Sequence, residues 1–76
     1  MDEEMQILFE NYTALMESGQ YVQLKQELNE EQPANIAEYF EELSDDKQLF
    51  IFRLLTKDVA AEVFSYMDND TQEHIV

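Results

Sequence analysis

The chain has 76 residues, of which 45% are hydrophobic, and its 18 acidic residues against 4 basic ones give a formal net charge of -14. That length holds one small domain with a thin core, and the apolar fraction is enough for a folded chain rather than a disordered one. The charge excludes nucleic acid as a partner, because phosphate backbones require clustered Lys and Arg. The lack of cysteine excludes disulfides and thiolate metal ligands.

Met1-Asp2-Glu3-Glu4 has neither a basic region nor an apolar stretch behind it, so a cleavable signal peptide is not expected. Met5, Leu8, Phe9, Tyr12, Leu15 and Met16 then recur at helical spacing, with Glu3, Glu10 and Glu17 off that face. The pattern predicts an amphipathic first helix of about four turns. Gly19, the only glycine, suits the left-handed position that closes such a helix. Tyr21, Leu24 and Leu28 mark a shorter second helix. Pro33, the only proline, fits the first position of a third, where its missing N–H costs no hydrogen bond.

Ile36, Ala37, Tyr39, Phe40 and Leu43 form the apolar stripe of helix three. Ser44 is placed to cap helix four, roughly 45 to 55, with Asp45 and Asp46 in the first turn where the helix dipole favours negative charge. Leu49-Phe50-Ile51-Phe52 with Leu54 and Leu55 make that helix apolar nearly all round, so it requires neighbours on several sides. The run stops at Arg53 and is too short to span a bilayer, so this segment is expected to be soluble and not to insert into a membrane. Thr56 can cap helix five, with Val59, Ala60, Val63, Phe64 and Met67 as its stripe, and Asp68 can cap helix six. Helix six has reached only Ile75 and Val76 where the sequence stops. The expectation is a fragment, the first portion of a longer polypeptide, in which further residues cover apolar surface on helices four to six.

Residues 36–52 recur 24 positions later at 60–76, with six of seventeen positions identical: Ala37/Ala61, Glu38/Glu62, Phe40/Phe64, Asp46/Asp70, Gln48/Gln72 and Ile51/Ile75. A recurring helix-turn-helix unit of this length is the signature of stacked helix pairs, an all-α class in which each unit buries its apolar face against its neighbours. Such scaffolds bind or relay rather than catalyse.

No catalytic constellation is visible. Ser18, Ser44 and Ser65 fall at turns or on helix surfaces, no glycine-rich loop exists, and the single histidine, His74, reads as a solvent-facing helical residue. The aromatic residues Phe9, Tyr12, Tyr39, Phe40, Phe50, Phe52, Phe64 and Tyr66 read as packing. The carboxylates are the remaining chemistry. Glu38, Glu41 and Glu42 cluster on helix three, Glu27, Glu30 and Glu31 close helix two, and Asp58 and Glu62 stand four apart on helix five. Same-sign pairs at that spacing repel mildly, so a hard cation could gain by neutralising them.

The run Gln32-Pro33-Ala34-Asn35-Ile36-Ala37-Glu38-Tyr39-Phe40-Glu41-Glu42-Leu43, followed by Phe52-Arg53-Leu54-Leu55-Thr56-Lys57 and Ala60-Ala61-Glu62-Val63-Phe64, resembles the cytoplasmic N-terminal domain of MgtE-type magnesium transporters. In that family the pattern reads approximately His-Pro-Ala-Asp-Ile-Ala-Glu, a Leu-Leu-Pro turn, then Ala-Ala-Glu-Val. The likeness covers roughly residues 14 to 76. Gln32 stands where histidine is frequent and Thr56 where proline is usual, both at turns.

The resemblance implies a right-handed superhelix of short helices, with the chain forming residues 1–76 of a regulatory domain on the cytoplasmic face of the cell membrane. It implies that a pair of CBS domains and a transmembrane channel follow, working as a homodimer. It also implies magnesium sensing, in which cations held between N-domain and CBS carboxylates lock a compact state and close the pore. Among these residues only Glu62, from the Ala-Ala-Glu-Val motif, carries over as a candidate metal ligand, and its site would be incomplete here. Glu38, Glu41, Glu42 and Asp58 are expected to add acidic surface. Specific magnesium binding by these residues alone is not expected, because scattered carboxylates do not assemble an octahedral site unaided. A structural interaction module, like the stacked helices of the flagellar motor switch protein FliG, is the alternative.

Overall fold

The computed structural model describes residues 2–76, and among them six helices and no strand are found: α1 (Glu3–Glu17), α2 (Tyr21–Glu30), α3 (Pro33–Phe40), α4 (Asp45–Leu54), α5 (Lys57–Tyr66) and α6 (Asn69–Ile75). The all-α class read from the sequence is the class observed, and the local punctuation explains each boundary. Asp2 caps α1 by accepting the Met5 amide at 2.8 Å. Gly19 takes φ 75°, which lets Gln20 N–H reach the Leu15 carbonyl at 2.9 Å and its own N–H reach Met16 at 3.3 Å. This paired closure satisfies two carbonyls that the end of α1 leaves open.

Pro33 sits in the first turn of α3. Glu31, just ahead of it, accepts Gln32 N–H at 3.1 Å and Asn35 Nδ2 at 2.8 Å, so a carboxylate stands at the positive end of the helix. Asp68 caps α6 through the Thr71 amide at 2.8 Å, and Thr56 caps α5 through Val59 N–H at 3.4 Å. Ser44 occupies the cap position of α4 as expected, but its side chain makes no cap bond. Asp45 and Asp46 supply the favourable charge in that turn.

The period of 24 residues is geometric as well as sequential. α2, α4 and α6 begin at 21, 45 and 69, and α3 and α5 begin at 33 and 57. The rhythm therefore reaches back to α2, where sequence identity does not. α3 packs on α5, α4 on α6 and α1 on α2. One core runs through five of the helices, formed by Phe9, Tyr12, Leu24, Leu28, Ile36, Ala37, Tyr39, Phe40, Ile51, Leu55, Val63 and Met67. The radius of gyration is 11.4 Å, close to the roughly 11 Å expected of a folded chain of this length.

α4 has neighbours on several sides, as its composition requires: Ile51 and Gln48 are buried, while Leu49, Phe50, Phe52 and Leu54 are half-buried. Its ring of apolar side chains is shared out, Phe50 to Tyr21 at a centroid distance of 5.1 Å and Phe52 to Phe40 at 6.3 Å, both edge-on. Tyr66 is not a packing residue but 62% exposed. It lies 24 positions after Glu42, which is also exposed, so the repeat turns both outward.

Candidate functional site

The acidic side chains singled out in the sequence are built on α3 and α5. Spacings of three and four residues put Glu38, Glu41 and Glu42 on one side of α3 and the turn that follows it, and Asp58 lies one helical turn before Glu62 on α5. All five are exposed. Glu38 and Glu62 occupy equivalent places in the two copies of the repeat, and their helices pack against each other. The structure thus sets a three-carboxylate helix beside a two-carboxylate helix. Among the described residues, however, no group of three or more Asp, Glu or His side chains converges closely enough to hold a metal ion.

The acidic group at the end of α2 has a different role. Glu27 accepts Asn11 Nδ2 at 2.6 Å and Gln23 Nε2 at 2.6 Å, and Glu31 is taken up at the start of α3. Their charges also reach the buried Tyr12 phenol, whose pKa is raised above its ordinary value first by burial and then by Glu31 and Glu27. That hydroxyl has no hydrogen-bond partner. These two glutamates serve the fold; Gln23, Gln32 and Asn35 are their near neighbours in sequence, and only Asn11, sixteen residues from Glu27, is a partner that the sequence does not reveal.

His74 differs from its expected solvent-facing position. It is half-buried, and its Nε2 donates to the Asp45 carbonyl at 3.1 Å, because α6 lies along α4. Two further side chains organise the helix connections, Asn29 and Gln48. Asn29 Nδ2 donates to Lys25 O at 2.7 Å and Leu54 O at 3.1 Å while its Oδ1 accepts Thr56 N–H at 2.7 Å, fixing the entry to α5. Gln48 donates from Nε2 to the Phe40 carbonyl at 2.8 Å, fixing the exit from α3. The identity of Gln48 with Gln72 in the repeat was a signal for the second.

Packed helix pairs in register, with charge outside, define a helical-repeat scaffold. A family model, the MgtE intracellular N domain, matches residues 31–76, more than half of the chain and all of α3 to α6. The chain belongs to that family. Comparisons with curated proteins and with solved structures gave no match. No helix among the described residues is long and apolar enough to cross a membrane.

Proposed function

We propose that this chain is part of the cytoplasmic regulatory domain of a magnesium transporter, in which it contributes to magnesium sensing and gating through acidic surfaces that face CBS domains. The observation that carries this reading is the family match over residues 31–76, joined to the exposure of Glu38, Glu41, Glu42, Asp58 and Glu62 on two packed helices. Five exposed carboxylates without a complete ligand set suit cations shared with a second acidic surface. Each cation then keeps several waters and neutralises charge across the gap. In this reading Glu62 supplies one ligand, and Glu38, Glu41, Glu42 and Asp58 raise the local concentration of cations. The CBS and transmembrane domains of the same chain are the partners, in a homodimer.

The experiment is a magnesium titration of the longer protein carrying its CBS domains, followed by small-angle scattering. Compaction with rising magnesium is expected, and Glu62→Gln should move the midpoint to higher concentration. An unchanged midpoint removes Glu62 from the sensor, and no compaction at all removes the sensing role. The alternative, a stacking module of the flagellar motor switch type, predicts self-association independent of magnesium. The family match favours the transporter domain.

A further inference from the structure

The four basic side chains, Lys25, Lys47, Arg53 and Lys57, stand in a chain with 18 acidic residues, yet none has an Asp or Glu three or four positions away in either direction. Those are the spacings at which a carboxylate on the same helix would pair with them. Their neighbours one turn away are apolar instead: Tyr21 and Val22 before Lys25, Phe50 and Ile51 after Lys47, Leu49 and Phe50 before Arg53. All four cations are exposed.

The fold gathers them at one junction of α2, α4 and α5. Phe50, midway between Lys47 and Arg53 on α4, meets the Tyr21 ring of α2 edge-on at 5.1 Å between centroids, and Lys25 lies one turn after Tyr21. Asn29 Nδ2 joins the Lys25 carbonyl at 2.7 Å to the Leu54 carbonyl at 3.1 Å, and its Oδ1 holds the Thr56 amide at 2.7 Å, so Arg53 and Lys57 flank the connection that α2 touches. Apolar surface is open there: Val22 is 85% exposed and Tyr21 47%. Val22, Lys25, Gln26, Asn29 and Thr56 line a shallow depression of about 390 Å³. Glu30 lines it too, and Asp46 and Asp58 adjoin Lys47 and Lys57 in sequence, so the positive excess is small, but no other part of the chain has a basic side chain.

We propose that this junction docks an acidic amphipathic helix of a partner protein, a segment presenting Asp or Glu beside Leu or Ile. The methylene stems of the Lys and Arg side chains extend the apolar surface of Val22 and Tyr21, while their charges meet the carboxylates of the segment. A narrow segment feels only what lies within a Debye length, about 8 Å at physiological salt. A broad anionic surface, whether a lipid bilayer or a second copy of this chain, would also meet the carboxylates elsewhere on a body of net charge -14 and radius of gyration 11.4 Å, and would be repelled. The junction draws on none of Glu38, Glu41, Glu42 and Glu62, so it stands apart from magnesium sensing.

The test is fluorescence anisotropy of a labelled amphipathic glutamate–leucine peptide titrated with the 76-residue chain at about 0.15 M salt. Lys25→Gln with Arg53→Gln should weaken binding by about ten-fold, whereas Gln6→Glu with Asn69→Asp, which shift the net charge equally at exposed positions elsewhere, should change it by less than about two-fold. Equal losses in the two double variants would show an effect of net charge alone and overturn the proposal. Val22→Ser, at a side chain too exposed to support the fold, should weaken binding by about three-fold. Unchanged affinity there would mean that the apolar surface contributes nothing, and would overturn the amphipathic partner. Amide shifts in NMR should centre on Val22, Lys25, Phe50 and Arg53, and a centre elsewhere would refute the site. Phosphatidylserine vesicles should not retain the chain, and sedimentation should find it monomeric; retention or dimerisation abolished by the Lys25 and Arg53 pair would give the junction to lipid or to a second copy instead.

Discussion

Gln48 reaches back from the first turn-and-a-bit of α4 to the backbone of Phe40, its Nε2 donating to that carbonyl at 2.8 Å, and Gln72 repeats the bond to Phe64 at 2.8 Å. Each of those carbonyls also accepts a backbone amide three residues on, from Leu43 at 3.1 Å and from Met67 at 3.1 Å. The same two bonds thus recur in both copies, the side-chain one from identical glutamines and the backbone one from Leu43 and Met67. The glutamine ties the C-terminal end of one helix to the start of the next and sets the turn between them. Gln48 is 7% exposed, whereas Gln72 is half-buried.

Gln48→Ala should therefore destabilise the chain by about 1–2 kcal/mol, from the lost bond and the space left beside it. Gln72→Ala should cost less, about 0.5 kcal/mol, because water can reach its bond partner. Urea unfolding followed by circular dichroism checks both. Equal costs would mean that burial does not govern the strength of this turn.

Asn29 joins α2 to the α4–α5 connection through three hydrogen bonds. Asn29→Ala removes the partner of the Thr56 amide at a position that water reaches, and a loss of about 0.5–1.5 kcal/mol is expected. Faster hydrogen exchange at Thr56 is the local signature. Protection at Thr56 equal to the wild type would refute the clamp.

At Gly19 a methyl group would meet open space, with nothing within 4 Å, but φ is +75°. Gly19→Ala should cost about 1 kcal/mol, entirely from the backbone conformation. Since packing plays no part, Gly19→Asn, which tolerates the left-handed region, should recover much of the loss. Equal costs for the two variants would assign the effect to something other than φ.

The buried phenols of Tyr12 and Tyr39 both have pKa values raised above 10.0, chiefly by burial. A group whose pKa rises on folding contributes stability that is complete below its unfolded pKa and is lost as pH climbs toward the folded value. Stability should fall above about pH 10. Tyr12→Phe removes a hydroxyl with no partner, so it should be neutral or stabilising by up to about 1 kcal/mol and should flatten that alkaline loss. Asp68 acts in the opposite sense. The Thr71 amide lowers its pKa from 3.8, so its contribution is present above that value and is lost as acid protonates it. A pH series of thermal unfolding curves on the wild type and Tyr12→Phe decides the alkaline arm.

With a net charge of -14, the folded chain should gain stability from simple salt, as the Debye length falls from about 30 Å at 0.01 M to about 10 Å at 0.1 M. A rise in melting temperature with sodium chloride is the expected outcome. A fall would show that attractive ion pairs outweigh the repulsion.

The order and ends of the helices were legible in the sequence because they depend on local chemistry. Pro33 fixes φ, Gly19 permits a positive φ, Asp68 presents an acceptor to its own helix, and the apolar residues of α3 recur at a period that only a helix satisfies. The acidic face was legible for the same reason, since Glu38, Glu41 and Glu42 share a side of any helix that contains them. Tertiary packing decided which charges are free. Glu27 and Glu31 look no different in sequence from Glu41 and Glu42, yet Asn11, sixteen residues away, occupies Glu27. The half-burial of His74, the exposure of Tyr66 and the clamp at Asn29 depend likewise on which helix lies against which. Helical spacing places a side chain on a face, but only the fold determines what that face meets.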